Sequence, residues 1–292
     1  MPFAILFPGQ GAQFRGMGTD LFDCYPGLTR WACDLLGYDL VERCRDDPGG
    51  LLSQTEHTQV ALYVVNAMHA FERERREDRP ADYYLGHSLG EYNALLAAGA
   101  FDFETGLRLV EKRGKLMAAA SGGGMTAVMG LSASHLLAAF EQDGVEGIDL
   151  AGFNTDSQLV IAGTADTLHA AHESLKARGI RFAPLRVSGP FHSRYMESAR
   201  TEFEEFLLGF TFSEPRTPVI ANVTGLPYER GTIAKILSEQ LVKPVRWVDS
   251  VRHLLALDSS LECEEMGGRS LLRMVDRIRD SAATPLQSES MV

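Results

Sequence analysis

Cysteine is scarce in this chain and scattered where it occurs. Its four residues, Cys24, Cys33, Cys44 and Cys263, form no C-x-x-C pair. That argues against a zinc site and leaves no disulfide framework to expect. Positive charge is also in deficit. With 28 Lys and Arg against 39 Asp and Glu, the net charge is −11, which speaks against a broad basic face for nucleic acid. The mixed-sign run FERERREDRP, Phe71 to Pro80, reads as a solvated helix end and not as a binding patch. Missing too is any apolar stretch near the ~20 residues that span a bilayer. The start MPFAILFPGQGAQ has no basic segment, and its apolar run is too short for a secretory signal. A cytoplasmic protein with no membrane or nucleic-acid partner is expected.

What is present suits a globular fold: 292 residues, 45% hydrophobic and 23% charged, enough to bury a sizeable core. Ala4 to Phe7 reads as a short strand broken by Pro8-Gly9. Residues 55–77 read as a helix, Tyr83 to Leu85 as a strand ending at Gly86, then Glu91 to Ala98 and 103–119 as helices. Strand–turn–helix units in this order point to a parallel sheet covered by helices. Ser121-Gly-Gly-Gly124 reads as a hinge.

After it come strands over Thr126 to Leu131, Ile148 to Asn154, Gln158 to Ala162 and Arg181 to Val187, with helices over 133–142 and 165–178. This βαββαβ string is the ferredoxin-like pattern. The expected architecture is a large α/β-hydrolase-like domain (1–124 and 188–280) with a parallel sheet, an inserted ferredoxin-like small domain (125–187), and a flexible polar tail (281–292). Helices are further expected at 195–209, 231–241 and 247–257, and a strand from Pro218 to Val223.

The strongest chemical signal is Gly86-His87-Ser88-Leu89-Gly90, a G-x-S-x-G set between a strand and a helix. A tight strand-to-helix turn projects Ser88 Oγ outward, and glycines fit where flanking side chains would collide. The helix N-terminus behind it offers N–H groups to a developing oxyanion. The alternative is a tight turn with an exposed serine and no chemistry.

A nucleophilic serine needs a base, and the chain has eight histidines. His135, His169 and His172 fall on small-domain helices, where a surface role is the plainer reading. His57, His69 and His253 lie in helical contexts with no partner signal. His87 adjoins the serine but points away from it, as a structural or pocket-lining group. His192, in Ser188-Gly-Pro-Phe-His-Ser193, sits in a Gly-Pro loop where the chain re-enters the large domain; it is the candidate base.

Six segments occur in order: Phe7-Pro-Gly-Gln-Gly-Ala-Gln13, Gly86-His-Ser-Leu-Gly-Glu91, Lys112-Arg-Gly-Lys-Leu-Met117, Gln158-Leu-Val-Ile-Ala-Gly163, Phe191-His-Ser193 and Pro244-Val-Arg-Trp247. Together they resemble the malonyl-CoA:acyl carrier protein transacylases, over residues 3 to about 280. Ser88 to Phe101 and Leu52 to Thr55 look most similar to discrete trans-acting acyltransferases of polyketide synthases, of the disorazole synthase type.

The resemblance implies a Ser88 acyl-enzyme with His192 as base and then acid, and an oxyanion hole from the N–H groups of Gln10 and Leu89. It implies a backbone carbonyl from the loop Lys243 to Arg246 to orient His192. Arg113 would grip the malonyl carboxylate bidentately, with Phe191, His87 and Asn154 lining the substrate site. The substrate would be malonyl-CoA and the partner an acyl carrier protein bearing phosphopantetheine, with no metal or redox cofactor. Leu89 and Phe191 fit malonyl over branched extender units.

Departures from the family pattern occur at Gly189-Pro190, Thr155-Asp156, Arg246 and Met266-Gly-Gly-Arg269. An editing acyl hydrolase of the same fold is the alternative, against which Arg113 speaks. A catalytically idle docking partner is a third reading.

Overall fold

A computed structural model of the protein describes residues 1–283. Its strands are β1 (Phe3–Phe7), β2 (Tyr83–Gly86), β3 (Gly123–Met129), β4 (Asp149–Thr155), β5 (Gln158–Thr164), β6 (Arg181–Pro184), β7 (Val219–Ile220) and β8 (Glu262–Glu265). β1 is buried at all five positions, as an unbroken apolar run must be when a sheet is covered on both faces. It pairs in parallel with β2 and β8, and β2 with β7, giving the order β7-β2-β1-β8. Helix Thr55–Arg76 packs on one face with Phe103–Ala119. Helices Trp247–Leu257 and Ser270–Ala283 close the other around Ala4, Leu6, Leu85 and Ile220.

The second sheet is antiparallel, in the order β4-β5-β3-β6. Helices Ala133–Gln142 and Ala165–Ala177 bury Leu136, Phe140, Leu168 and Leu175 against its Val128, Leu159 and Ile161. The molecule is therefore a parallel α/β unit joined to a ferredoxin-like one. A main-chain link ties β4 to the segment that leads into helix Trp247–Leu257: Phe153 N–H donates to the Val245 carbonyl (2.9 Å), and Val245 N–H donates to Ala151 (3.0 Å).

Several expectations are corrected. Gly123 and Gly124, read as hinge, open β3 and pair with Thr164 and Gly163. The strand expected at 218–223 is only Val219–Ile220, because Ala221 turns back to bond Gly225 and Leu226. The 195–209 helix is a 3-10 turn, Arg194–Met196, followed by Glu197–Leu207.

The run from Phe71 to Pro80 is more than a solvated end. Arg73 bonds Glu264 at 2.7 Å and Arg79 pairs with Glu262, latching the helix to β8. The last helix reaches Ala283, so the tail expected from 281 begins inside it, and 284–292 lie outside the described residues. Among the described residues no helix is long and apolar enough to cross a membrane.

Candidate active site

The G-x-S-x-G segment forms the turn from β2 into helix Gly90–Ala97. A Cβ at Gly86 would lie 1.9 Å from the Gly90 carbonyl carbon, and one at Gly90 would lie 2.0 Å from the Phe7 carbonyl oxygen. Only glycine lets the chain fold this tightly against β1. Ser88 is left at φ 52, a left-handed conformation that costs a non-glycine residue energy and recurs where function needs a fixed side chain. Asn222 braces the elbow: its Oδ1 accepts from Ser88 N–H and its Nδ2 donates to the Gly86 carbonyl, both at 2.6 Å.

His192 comes from the loop after β6 and is also left-handed, at φ 58. Gly189 is wedged there: a Cβ on it would fall 2.5 Å from the Ala120 carbonyl oxygen and 2.9 Å from the Phe191 ring. The Gly-Pro pair is thus the form of the loop that fits this wall. Ser193 Oγ donates to the Pro190 carbonyl at 2.5 Å and fixes the turn.

His192 Nε2 lies 2.8 Å from Ser88 Oγ, and its Nδ1 lies 2.7 Å from the Gln240 carbonyl oxygen. A carbonyl can only accept, so the proton sits on Nδ1 and the Nε2 lone pair faces the hydroxyl. The orienting carbonyl was expected from Lys243 to Arg246. The carbonyl bonded to Nδ1 is that of Gln240, just past helix Ile233–Glu239, and the Lys243 main chain of the expected loop also favours the protonated ring. Burial, then the nearby Arg113 charge, bring the His192 pKa down to about 3. The ring therefore rests neutral, the form that can take a proton.

Arg113 lies mid-helix on Phe103–Ala119 yet is 1% exposed. Its Nη1 donates to Gln59 Oε1 (2.6 Å), and its Nη2 to Gln240 Oε1 (2.8 Å) and Ser88 Oγ (3.0 Å). Among the described residues its Nε has no hydrogen-bond partner. Among the described residues no carboxylate hydrogen-bonds this buried cation. Its partners there are neutral acceptors, and burial lowers its pKa. A desolvated guanidinium in that state is a site for an anion.

One cavity of about 300 Å³ is lined by Ser88, His192, Arg113, Gln10, Leu89, Phe191, His87 and Asn154. Every residue singled out from the sequence therefore meets at one place. The N–H groups of Gln10 and Leu89 bond no other group among the described residues. Ser88 N–H, by contrast, is taken by Asn222. The Gln10 side chain donates to Thr55 Oγ1 (3.2 Å), which contacts Ser188 Oγ (3.1 Å), so the loop after β1 is tied to the loop of His192. His87 turns from the serine, bonds Asn154 Oδ1 at 3.0 Å and packs on Trp247. Burial lowers its pKa.

The departures resolve locally. Asp156 bonds Arg252 and Ser281, pinning the β4–β5 turn to the last two helices. Arg246 pairs with Asp249 at 2.7 Å. Beside Met266-Gly-Gly-Arg269, the Glu265 carboxylate accepts from the N–H groups of Ser270, Leu271 and Leu272 and caps the helix there. His172, expected at the surface, is half-buried against Phe182 and bonded to Thr126. Sequence reasoning missed Gln240, Gln59 and Asn222, whose amides lie far apart along the chain and carry no local pattern.

A Ser–His pair with a guanidinium at an elbow is the equipment of acyl transfer through a serine ester. The chain belongs to the acyl transferase domain family, whose model matches residues 4–262. More particularly, it is 47% identical to a polyketide biosynthesis malonyl CoA-acyl carrier protein transacylase of Bacillus velezensis, over 96% of this chain and 98% of that one. The crystal structure of a malonyl CoA-acyl carrier protein transacylase from Burkholderia pseudomallei superposes with a TM-score of 0.94, at 42% identity, covering 98% of this chain and 99% of that one. A malonyl-transacylase in complex with a type II polyketide synthase acyl-carrier protein superposes with a TM-score of 0.87 at 34% identity, covering 95% and 93%.

Proposed function

We propose that the protein transfers malonyl from malonyl-CoA to the phosphopantetheine thiol of an acyl carrier protein, in trans for a polyketide synthase. The observation that carries this is Arg113: a buried guanidinium that no carboxylate hydrogen-bonds among the described residues, and whose Nη2 sits 3.0 Å from Ser88 Oγ. A cation that close to a nucleophile selects an acyl group ending in a carboxylate.

In this reading Ser88 Oγ gives its proton to His192 Nε2 and attacks the thioester carbonyl. The N–H groups of Gln10 and Leu89 receive the oxyanion. The imidazolium, held by the Gln240 carbonyl, then protonates the departing coenzyme A sulfur. The carrier thiol enters, loses its proton to His192 and attacks the malonyl-Ser88 ester; as the ester bond breaks, the imidazolium returns that proton to Ser88 Oγ, and serine and imidazole are both restored. Arg113 exchanges its bond to Ser88 Oγ for the malonyl carboxylate, bidentately. Leu89 and Phe191 wall the carbon next to the thioester and leave little room for a branch. An editing hydrolase for uncharged acyl chains would have no use for this cation.

The reaction so written calls on no metal or redox cofactor. Among the described residues no cluster of three His, Cys, Asp or Glu could hold a metal ion. We infer a cytoplasmic location, and a division into a catalytic unit (1–124 with 188–280) and a small unit (125–187), whose sheet takes in Gly123 and Gly124 from just before that boundary.

Intact mass after mixing with malonyl-CoA tests the function. A malonyl adduct is expected on the wild type, lost in Ser88→Ala, and discharged by adding a phosphopantetheinylated carrier. A wild type that takes up no malonyl group, or an adduct that only water discharges, overturns it.

A further inference from the structure

Glu91 has no solvent exposure, stands in the first turn of the helix behind Ser88, and takes no part in the steps above. One of its carboxylate oxygens accepts from the Tyr228 hydroxyl (2.6 Å) and the Asn222 N–H (3.1 Å). The other accepts from the Gln240 side-chain amide. Those groups lead straight to the reacting ones. Gln240 Nε2 faces Glu91 and the Ser88 carbonyl (3.0 Å), while its Oε1 faces Arg113 Nη2 (2.8 Å). The main-chain carbonyl of the same residue holds His192 Nδ1. Asn222, held by Glu91 through its N–H, places its Oδ1 on Ser88 N–H.

We propose that Glu91 is a positioning residue, whose carboxylate fixes which way the Gln240 amide points and so aligns Arg113, His192 and Ser88 together. This rests on the acyl-transfer reading and extends it. The physical reason is donor–acceptor parity. A carboxylate only accepts and a guanidinium only donates, so an amide between them has one orientation that satisfies both.

A neutral group in place of the carboxylate brings a donor of its own. When that donor meets Gln240 Nε2, the amide must turn, and its NH2 then faces the guanidinium. Two donors opposed in a dry site forfeit the bond and displace Arg113. The charged or titratable groups around Glu91 are Arg113 and Tyr92 besides Tyr228. Burial pushes the Glu91 carboxyl up to about 7, against the pull of its three hydrogen bonds and of Arg113. His192, at about 3, does not titrate in that range.

The test is single-turnover acylation of Ser88 by malonyl-CoA and by acetyl-CoA, from about pH 5 to 9, in wild type, Glu91→Gln and Gln240→Met. The wild-type malonyl rate is expected to fall as pH drops through about 7. Glu91→Gln should be about a hundredfold slower, the scale of a small misplacement of reacting groups. It should also lack that acid limb and prefer malonyl over acetyl less. Gln240→Met, which keeps the main-chain carbonyl but has no amide to orient, should show the same narrowed preference.

Wild-type rate and profile in Glu91→Gln overturn the proposal. So does an equal loss toward both substrates with the profile unchanged, which is what packing alone would give. If Glu91→Gln does not fold, Gln240→Met decides, and an unchanged malonyl preference there refutes the idea. A wild type that forms no malonyl-Ser88 sinks the acyl-transfer reading instead, so the two failures are distinguishable.

Discussion

The imidazole of His192 is oriented by a main-chain oxygen, that of Gln240, 2.7 Å from Nδ1, where many serine enzymes use a carboxylate. No side-chain substitution at position 240 removes that oxygen, whereas replacing the imidazole removes the proposed proton acceptor outright. His192→Ala is expected to slow Ser88 acylation by about 10²–10⁴-fold, the range for losing a general base. Stopped-flow release of coenzyme A measures it, and a loss under tenfold would reassign the base.

Arg113→Ala should cost malonyl recognition about 3 kcal/mol, the scale for removing one partner of a buried ion pair. Acetyl-CoA, which offers no carboxylate, should be turned over as well or better. Arg113→Lys should recover little, because one ammonium cannot reproduce a fork that reaches Gln59 and Gln240 together. Competition between malonyl-CoA and acetyl-CoA reads the change, and an unaltered ratio would place the carboxylate elsewhere.

Phe191 is 3% exposed and borders the cavity beside the base. Phe191→Ala should open space for an α-methyl group and raise acylation by methylmalonyl-CoA relative to malonyl-CoA by roughly tenfold, about what one methylene earns in an apolar pocket. The measurement is the ratio of kcat/KM values, and a variant that still rejects methylmalonyl-CoA as strongly would move the selective wall away from this ring.

Two buried groups tilt stability in opposite senses as pH changes. The folded pKa of Glu91, about 7, lies above its ordinary 4.5. The folded state holds that proton more tightly, so this group costs about 3 kcal/mol as pH rises from 4.5 through 7. The folded pKa of His192, about 3, lies below its ordinary 6.5. Here the unfolded chain takes the proton first, and stability is lost as pH falls below 6.5. Glu91→Gln deletes the first contribution and leaves the second. Its urea midpoint should therefore fall more steeply than the wild type's between about pH 6.5 and 5. Parallel midpoints across that range would show that Glu91 is not held neutral by burial.

The reacting residues were legible because each sits in a dense local pattern. Gly86 and Gly90 frame Ser88, and Gly189-Pro190 precedes His192. The helices 103–119, 133–142 and 247–257 were legible through apolar periodicity, and their observed ends match. β8 was not: Glu262-Cys-Glu-Glu265 has no alternation to reveal a strand, and it exists because its main chain pairs in parallel with β1, while its carboxylates meet Arg79, Arg73 and a helix start. The short helices Thr19–Cys24, Pro26–Leu36 and Leu40–Asp46 were also passed over. They bury residues of their own such as Leu21, Leu40 and Cys44 in the large core, so their packing is decided by partners far away in sequence. Gln240 escaped for another reason: its function resides partly in a carbonyl that every residue owns.

Val245 gives the segment that carries Gln240 a second duty. Five residues apart, one end of this short stretch grips the imidazole and the other is stitched into β4. The position of the antiparallel sheet and the aim of the histidine are thus set by one short stretch of main chain.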